Sequence, residues 1–169
     1  MKEALTSVNK EHLDNILDGI KTVEWRKKPL PLGKHYGYET KNKGGCGKVT
    51  GDFEVVENIK VDLFDIVCND PKDLVKKGCV DWGFLNKYAG KQDYLYANII
   101  ENAKRYDKPK DLKEFRTPCK MGDYPCCGIC DYAVHGMDGD LIDCDTSLTR
   151  PPQSWCYVEV NESEKTTFH

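Results

Sequence analysis

One glycine divides two hydrophobic periods in this chain. Leu13, Ile16, Leu17 and Ile20 recur at i, i+3, i+4 and i+7, the stripe of a short helix with one buried face. Gly19 stands where a glycine stops such a helix. Beyond it Val23 and Trp25 alternate with Thr22, Glu24 and Arg26, so a strand would bury the first pair and present the second set. A helix handed directly to a strand requires a fold that mixes the two. The junction also gathers Lys21, Glu24 and Arg26, where polar groups can stand over an open cleft. The plainer reading is that these charges are only the solvated face of the strand.

The 169 residues suffice for one domain, 1–169, and are few for two. With 39% hydrophobic and 31% charged residues the composition is that of an ordered globular protein. No apolar run approaches the roughly 18 residues of a membrane helix. Met1-Lys2-Glu3-Ala4-Leu5 has no apolar export segment, so a cytoplasmic location is expected. Nine cysteines, an odd number, then point to reduced thiols or metal ligands rather than to a disulfide framework. Net charge is −3, yet Lys21 to Lys48 carries eight basic residues against two acidic ones. A local basic face of this kind can bind phosphates on an acidic protein.

Further along, Lys27 to Gly33 reads as an extended loop, because Pro29, Pro31 and Gly33 exclude helix. Strands are expected at His35 to Thr40, within Val49 to Val61, at Tyr94 to Glu101 and at Trp155 to Val160. Asn42 to Gly47, with three glycines, reads as a mobile hairpin loop. One short helix should start at Asp70-Pro71. A second should be capped by Asp81, bury Trp82, Leu85 and Tyr88, and end at Gly90. Pro109 to Phe115 is expected to form a turn or two of helix. Short strands interrupted by small helices suggest an α+β fold, a closed or nearly closed β-barrel with helices at its openings. The cysteine-rich stretch, 117–148, reads as an insertion before the last strand.

Gly19-Ile20-Lys21-Thr22-Val23-Glu24-Trp25-Arg26 resembles the signature of the ASCH (ASC-1 homology) domains, relatives of the PUA domains. Gly37 to Thr40, Val49 to Phe53 and Pro151 to Glu159 look like further family elements in the expected order. The resemblance implies a PUA-like mixed β-barrel flanked by short helices, with an RNA- or nucleotide-binding cleft between barrel and helix. It also implies possible activities, because known members include an amidohydrolase that deacetylates N4-acetylcytidine, and ribonucleases. The catalytic lysine of that amidohydrolase matches Lys21. Its threonine three residues later is Glu24 here, a departure that bears directly on the deacetylase mechanism.

These readings place ligand binding on Lys21, Thr22, Glu24, Arg26 and Tyr38, with Tyr36, Tyr38 or Trp25 as stacking surfaces. In an enzyme Lys21 and Glu24 would be catalytic. His12 and His35 show no evident partner in the sequence. Cys127-x-x-Cys130 has zinc-knuckle spacing, and Cys119 and Cys144 would complete four thiolates, with Cys126, His135 and Cys156 as substitutes. The expected role is binding of RNA or a modified nucleotide. The alternatives are a hydrolase, or a protein-interaction module working through the acidic, cysteine-rich insertion.

Overall fold

The computed structural model describes residues 3–63, 72–117 and 147–160, and the backbone of Ala133–His135 and Leu141–Cys144. Seven strands form one mixed sheet: β1 (Glu3–Val8), β2 (Val23–Arg26), β3 (Gly33–Glu39), β4 (Val49–Asp62), β5 (Tyr94–Lys110), β6 (Phe115–Arg116) and β9 (Trp155–Val160). Their order is β2-β5-β4-β3-β1-β9-β6, an open, barrel-like sheet. Among the described strands only β1 and β3 pair in parallel, with Leu5 opposite Tyr36. Two strands within 117–148, β7 (Ala133–His135) and β8 (Leu141–Cys144), form a separate antiparallel pair. Among the described residues three helices complete the α+β fold: α1 (Lys10–Leu17), α2 (Lys72–Lys77) and α3 (Trp82–Ala89).

Helix α1 buries Leu13, Ile16 and Leu17 against Phe53, Val55 and Ile100 of β4 and β5. Two glycines allow it to sit this close. A Cβ on Gly37 would lie 2.6 Å from Leu13 Cδ1, and one on Gly51 would lie 2.5 Å from Leu17 Cδ2 and 2.4 Å from the Lys104 carbonyl. A second core under α2 and α3 joins Val23, Trp25, Val75, Leu85 and Leu95. A third, at the other end of the sheet, joins Leu5, Tyr36, Tyr38, Val49, Phe115 and Val158. The long β4–β5 ribbon changes register between Val49 and Gly51, Asp52 and Glu54, and Val55 and Glu57. Bulges of this sort bend a ribbon and help curl the sheet.

Several local expectations hold. Asp81 caps α3 by accepting a hydrogen bond from Phe84 N at 2.8 Å, and Gly90 ends that helix at φ +69°. The last strand runs from Trp155 to Val160 as read. Others need correction. Ile20 is 63% exposed, because α1 ends at Leu17 and the helical period no longer applies to it. Strand β1 carries no clear apolar alternation, because Thr6 and Ser7 interrupt its apolar run. Both are nevertheless buried, Thr6 Oγ1 against His35 Nδ1 at 2.7 Å and Ser7 Oγ donating to the Pro152 carbonyl at 2.7 Å. Pro109 lies at the end of β5, and the expected helix reduces to a 3₁₀ turn, Leu112–Glu114. The hairpin loop is tethered, since Cys46 N donates to Glu39 Oε1 at 2.7 Å and Gly47 N to the Glu39 carbonyl at 3.1 Å.

Candidate functional site

The site begins with the way α1 stops. Ile20 N donates to the Asn15 carbonyl at 2.9 Å and Gly19 N to the Ile16 carbonyl at 3.0 Å, the two bonds of a Schellman turn. Gly19 supplies the required left-handed conformation at φ +73°. A third bond, Lys21 N to the same Asn15 carbonyl at 2.9 Å, fixes where the chain goes next. Lys21 is thereby turned inward and is only 2% exposed. Its Nζ donates to the Gly78 carbonyl at 2.8 Å and lies 3.1 Å from Glu24 Oε2.

Glu24 is 6% exposed, so β2 buries both of its faces rather than alternating as expected. The reason is tertiary. Arg26 Nε donates to Glu24 Oε1 at 2.9 Å, and Arg26 Nη2 donates to the Ser7 carbonyl of β1 at 2.9 Å. The carboxylate is held from both sides, and burial alone would favour its neutral form. Lys21 and Arg26 outweigh that burial and lower its pKa below the usual glutamate range. One carboxylate between two cations leaves the trio with a net charge of +1. Asn98, fully buried on β5, holds the backbone beneath: its Nδ2 donates to the Glu24 carbonyl at 2.7 Å, and its Oδ1 accepts from Leu30 N at 2.8 Å.

A cleft of about 340 Å³ opens over this trio. Ser7, Asn9 and Thr40 line one side, and Val80, Phe84 and Tyr88 line the side near α3. Phe84 is 45% exposed, and its ring stacks on Tyr88 with an interplanar angle of 6° and centroids 6.1 Å apart. His12 of α1 also lines the cleft, and its ring centroid is 6.3 Å from that of Phe84. Burial, then the nearby Lys21, lowers the pKa of His12. The volume is at the small end for small-molecule sites, of a size for one nucleoside rather than a run of bases.

Of the residues expected at the site, Lys21, Glu24 and Arg26 come together, and Trp25 lines the cleft with them. Thr22 serves the framework: its N donates to the Lys77 carbonyl and its carbonyl accepts from Ile100 N. Tyr38 and Tyr36 pack in the third core instead of lining the cleft. His35 is a core residue, its Nδ1 against Thr6 Oγ1 and its Nε2 donating to the Pro31 carbonyl at 2.8 Å. His12 and Phe84 were not expected here, since a lone helix histidine and an unpaired phenylalanine carry no local signal of a site. Cys119, Cys126, Cys127 and Cys130 lie outside the described residues, as do the side chains of His135 and Cys144. Cys156 is a free thiol packed against the third core, its pKa raised by burial. Among the described residues no group of three or more metal-binding side chains is found.

Comparison with solved structures shows what carries this cleft. A serine-to-alanine variant of the ASCH protein from Zymomonas mobilis superposes over 97% of this chain and 93% of its own, with a TM-score of 0.63 and 18% identity. The fold is that of an ASCH domain. The unsubstituted Zymomonas mobilis ASCH structure matches 66% of this chain and 74% of its own, with a TM-score of 0.54 and 22% identity. A tyrosine-to-phenylalanine variant of it gives 0.54 and 21% over 66% of this chain and 77% of its own. At such identities the likeness speaks for the fold alone. No protein-family model matches the chain, and neither does any curated protein. In this ASCH fold the segment Gly19 to Arg26 forms the α1–β2 junction, and its Lys21, Glu24, Trp25 and Arg26 line the cleft. Among the described residues no helix is long and apolar enough to cross a membrane.

Proposed function

We propose that the cleft binds a single RNA base or modified nucleotide. The observation that carries this reading is the Lys21–Glu24–Arg26 trio, with net charge +1 and with Lys21 and Glu24 buried, lining one cleft with the exposed aromatic ring of Phe84. Lys21 spends two of its three N–H groups on Gly78 and Glu24, leaving one for a ligand oxygen. Arg26 spends two of five on Glu24 and Ser7, so its guanidinium is pre-oriented before a ligand arrives. Each Glu24 oxygen keeps a further lone pair that can accept from a base amino group. Phe84 offers a flat face for the base, a contact worth about 1–3 kcal/mol in single-strand binders.

The same geometry favours binding over hydrolysis. Lys21 acts twice as a donor to fixed acceptors, the posture of a held cation rather than of a base taking a proton. Glu24, kept as a carboxylate, is also poorly placed to deliver a proton. Titration of N4-acetylcytidine, cytidine and a short single-stranded RNA into wild type and Lys21→Met tests the reading, with hydrolysis products followed in the same samples. Binding that is weakened in Lys21→Met, without turnover in either protein, supports it. Turnover by wild type that is lost in Lys21→Met would replace the binding module with a hydrolase. Zinc on Cys119, Cys127, Cys130 and Cys144 is a separate proposal, resting on sequence spacing and tested by metal content of the purified protein.

A further inference from the structure

Among the described residues His12 is the one imidazole lining the cleft. No other described residue hydrogen-bonds its side chain, and its Nδ1 is buried without a partner. The two tautomers of a neutral imidazole differ sharply in such a place. A hydrogen on Nδ1 would be a buried donor with nothing to meet, whereas a bare Nδ1 is only an acceptor left dry, the less costly omission. The hydrogen therefore belongs on Nε2, the ring nitrogen left able to donate. A second proton would recreate the buried donor and add charge near Lys21. Glu24 of β2, Glu11 of α1 and Lys43 of the 3₁₀ turn Asn42–Gly44 also act on the ring. The downward shift of its pKa agrees with a neutral ring.

We infer that His12 is a ligand-contacting residue of this cleft, donating its Nε2 hydrogen to an oxygen of the bound nucleotide. The inference rests on the proposed binding function and deepens it. With one N–H left on Lys21 and three on Arg26, the cleft is rich in donors and suits a ligand with several exposed oxygens. These oxygens can belong to a base carbonyl or to a phosphate.

The test compares wild type, His12→Phe and His12→Gln, each titrated with cytidine, uridine and their 5′-monophosphates, with folding checked by denaturation midpoint. His12→Phe keeps a ring and removes the donor, so binding should weaken about tenfold, the scale of one hydrogen bond. His12→Gln places an amide N–H near the position of Nε2 and should recover most of that loss. Loss shared by nucleosides and monophosphates assigns the contact to an oxygen of the nucleoside; loss confined to the monophosphates assigns it to phosphate. Nitrogen-15 spectra of the free wild type should show the Nε2–H tautomer. A wild type that binds, with His12→Phe binding equally well or with the hydrogen found on Nδ1, overturns the role of His12 alone. A wild type that binds none of the four, nor N4-acetylcytidine titrated beside them, overturns the binding function and the role of His12 with it.

Discussion

Lys21 Nζ lies 3.1 Å from Glu24 Oε2, with both side chains buried and three positions apart in sequence. The pair sits where a helix becomes a strand, so the Schellman turn that ends α1 also sets its geometry. Removing the carboxylate charge leaves Lys21 and Arg26 facing one another over a buried amide. Glu24→Gln should therefore destabilise the protein by about 3 kcal/mol, the low end for a broken buried pair because the cleft admits water. Urea denaturation of both proteins measures the difference, and an unchanged midpoint would show that the pair is not structural.

Gly78 couples folding to the site. Its carbonyl accepts from Lys21 Nζ, and a Cβ there would lie 2.4 Å from Trp25 Nε1 and 2.7 Å from Trp25 Cδ1. The indole is a rigid core group and cannot step aside without moving β2. Gly78→Ala should cost about 1–3 kcal/mol of stability, as overpacking does, and weaken nucleotide binding as well. Normal stability together with normal binding would contradict this coupling.

Phe84 separates binding from stability. Its half-exposed ring contributes little to the core, so Phe84→Ala should change the denaturation midpoint only slightly. Nucleotide affinity should fall by about tenfold or more if a base stacks on the ring. Equal affinity in a folded variant would place the base elsewhere.

His35 predicts the acid response. Burial disfavours its charged form and lowers its pKa below the ordinary histidine value, as it does for His12. Above about pH 6.5 both residues are neutral folded or unfolded, and stability is full. Below it the unfolded chain takes up protons that the folded chain resists, so stability falls with falling pH. The carboxylates with lowered values, Glu24 and Asp14, add their own loss only below about pH 4.5. Denaturation at pH 7.5 and 5.5 should differ by about 1–2 kcal/mol, lower at 5.5. Equal stability, or a rise at pH 5.5, would mean that these rings protonate freely.

What could be read in advance was local. The stripe of α1, the stop at Gly19, the Asp81 cap and the final strand each depend on residues a few positions apart. The outline of the site at Lys21, Glu24 and Arg26 was legible for the same reason. Strand β1 was not, because Thr6 and Ser7 find their partners 29 and 145 positions away. Nor was the extension of β5 to Lys110, where charged residues on an exposed ribbon look like a loop until they pair with β4. Glu24 looked solvated because the Arg26 bridge to Ser7 is a tertiary contact, and His12 and Phe84 meet only once α1 and α3 frame the same cleft.

The most direct measurement is an amide chemical-shift map of the nitrogen-15-labelled protein during titration with N4-acetylcytidine and with cytidine 5′-monophosphate. Shifts that saturate together at Lys21 to Arg26, His12 and Phe84 are the expected result. Saturating shifts confined to another face, or none with either ligand, would contradict a nucleotide site in this cleft.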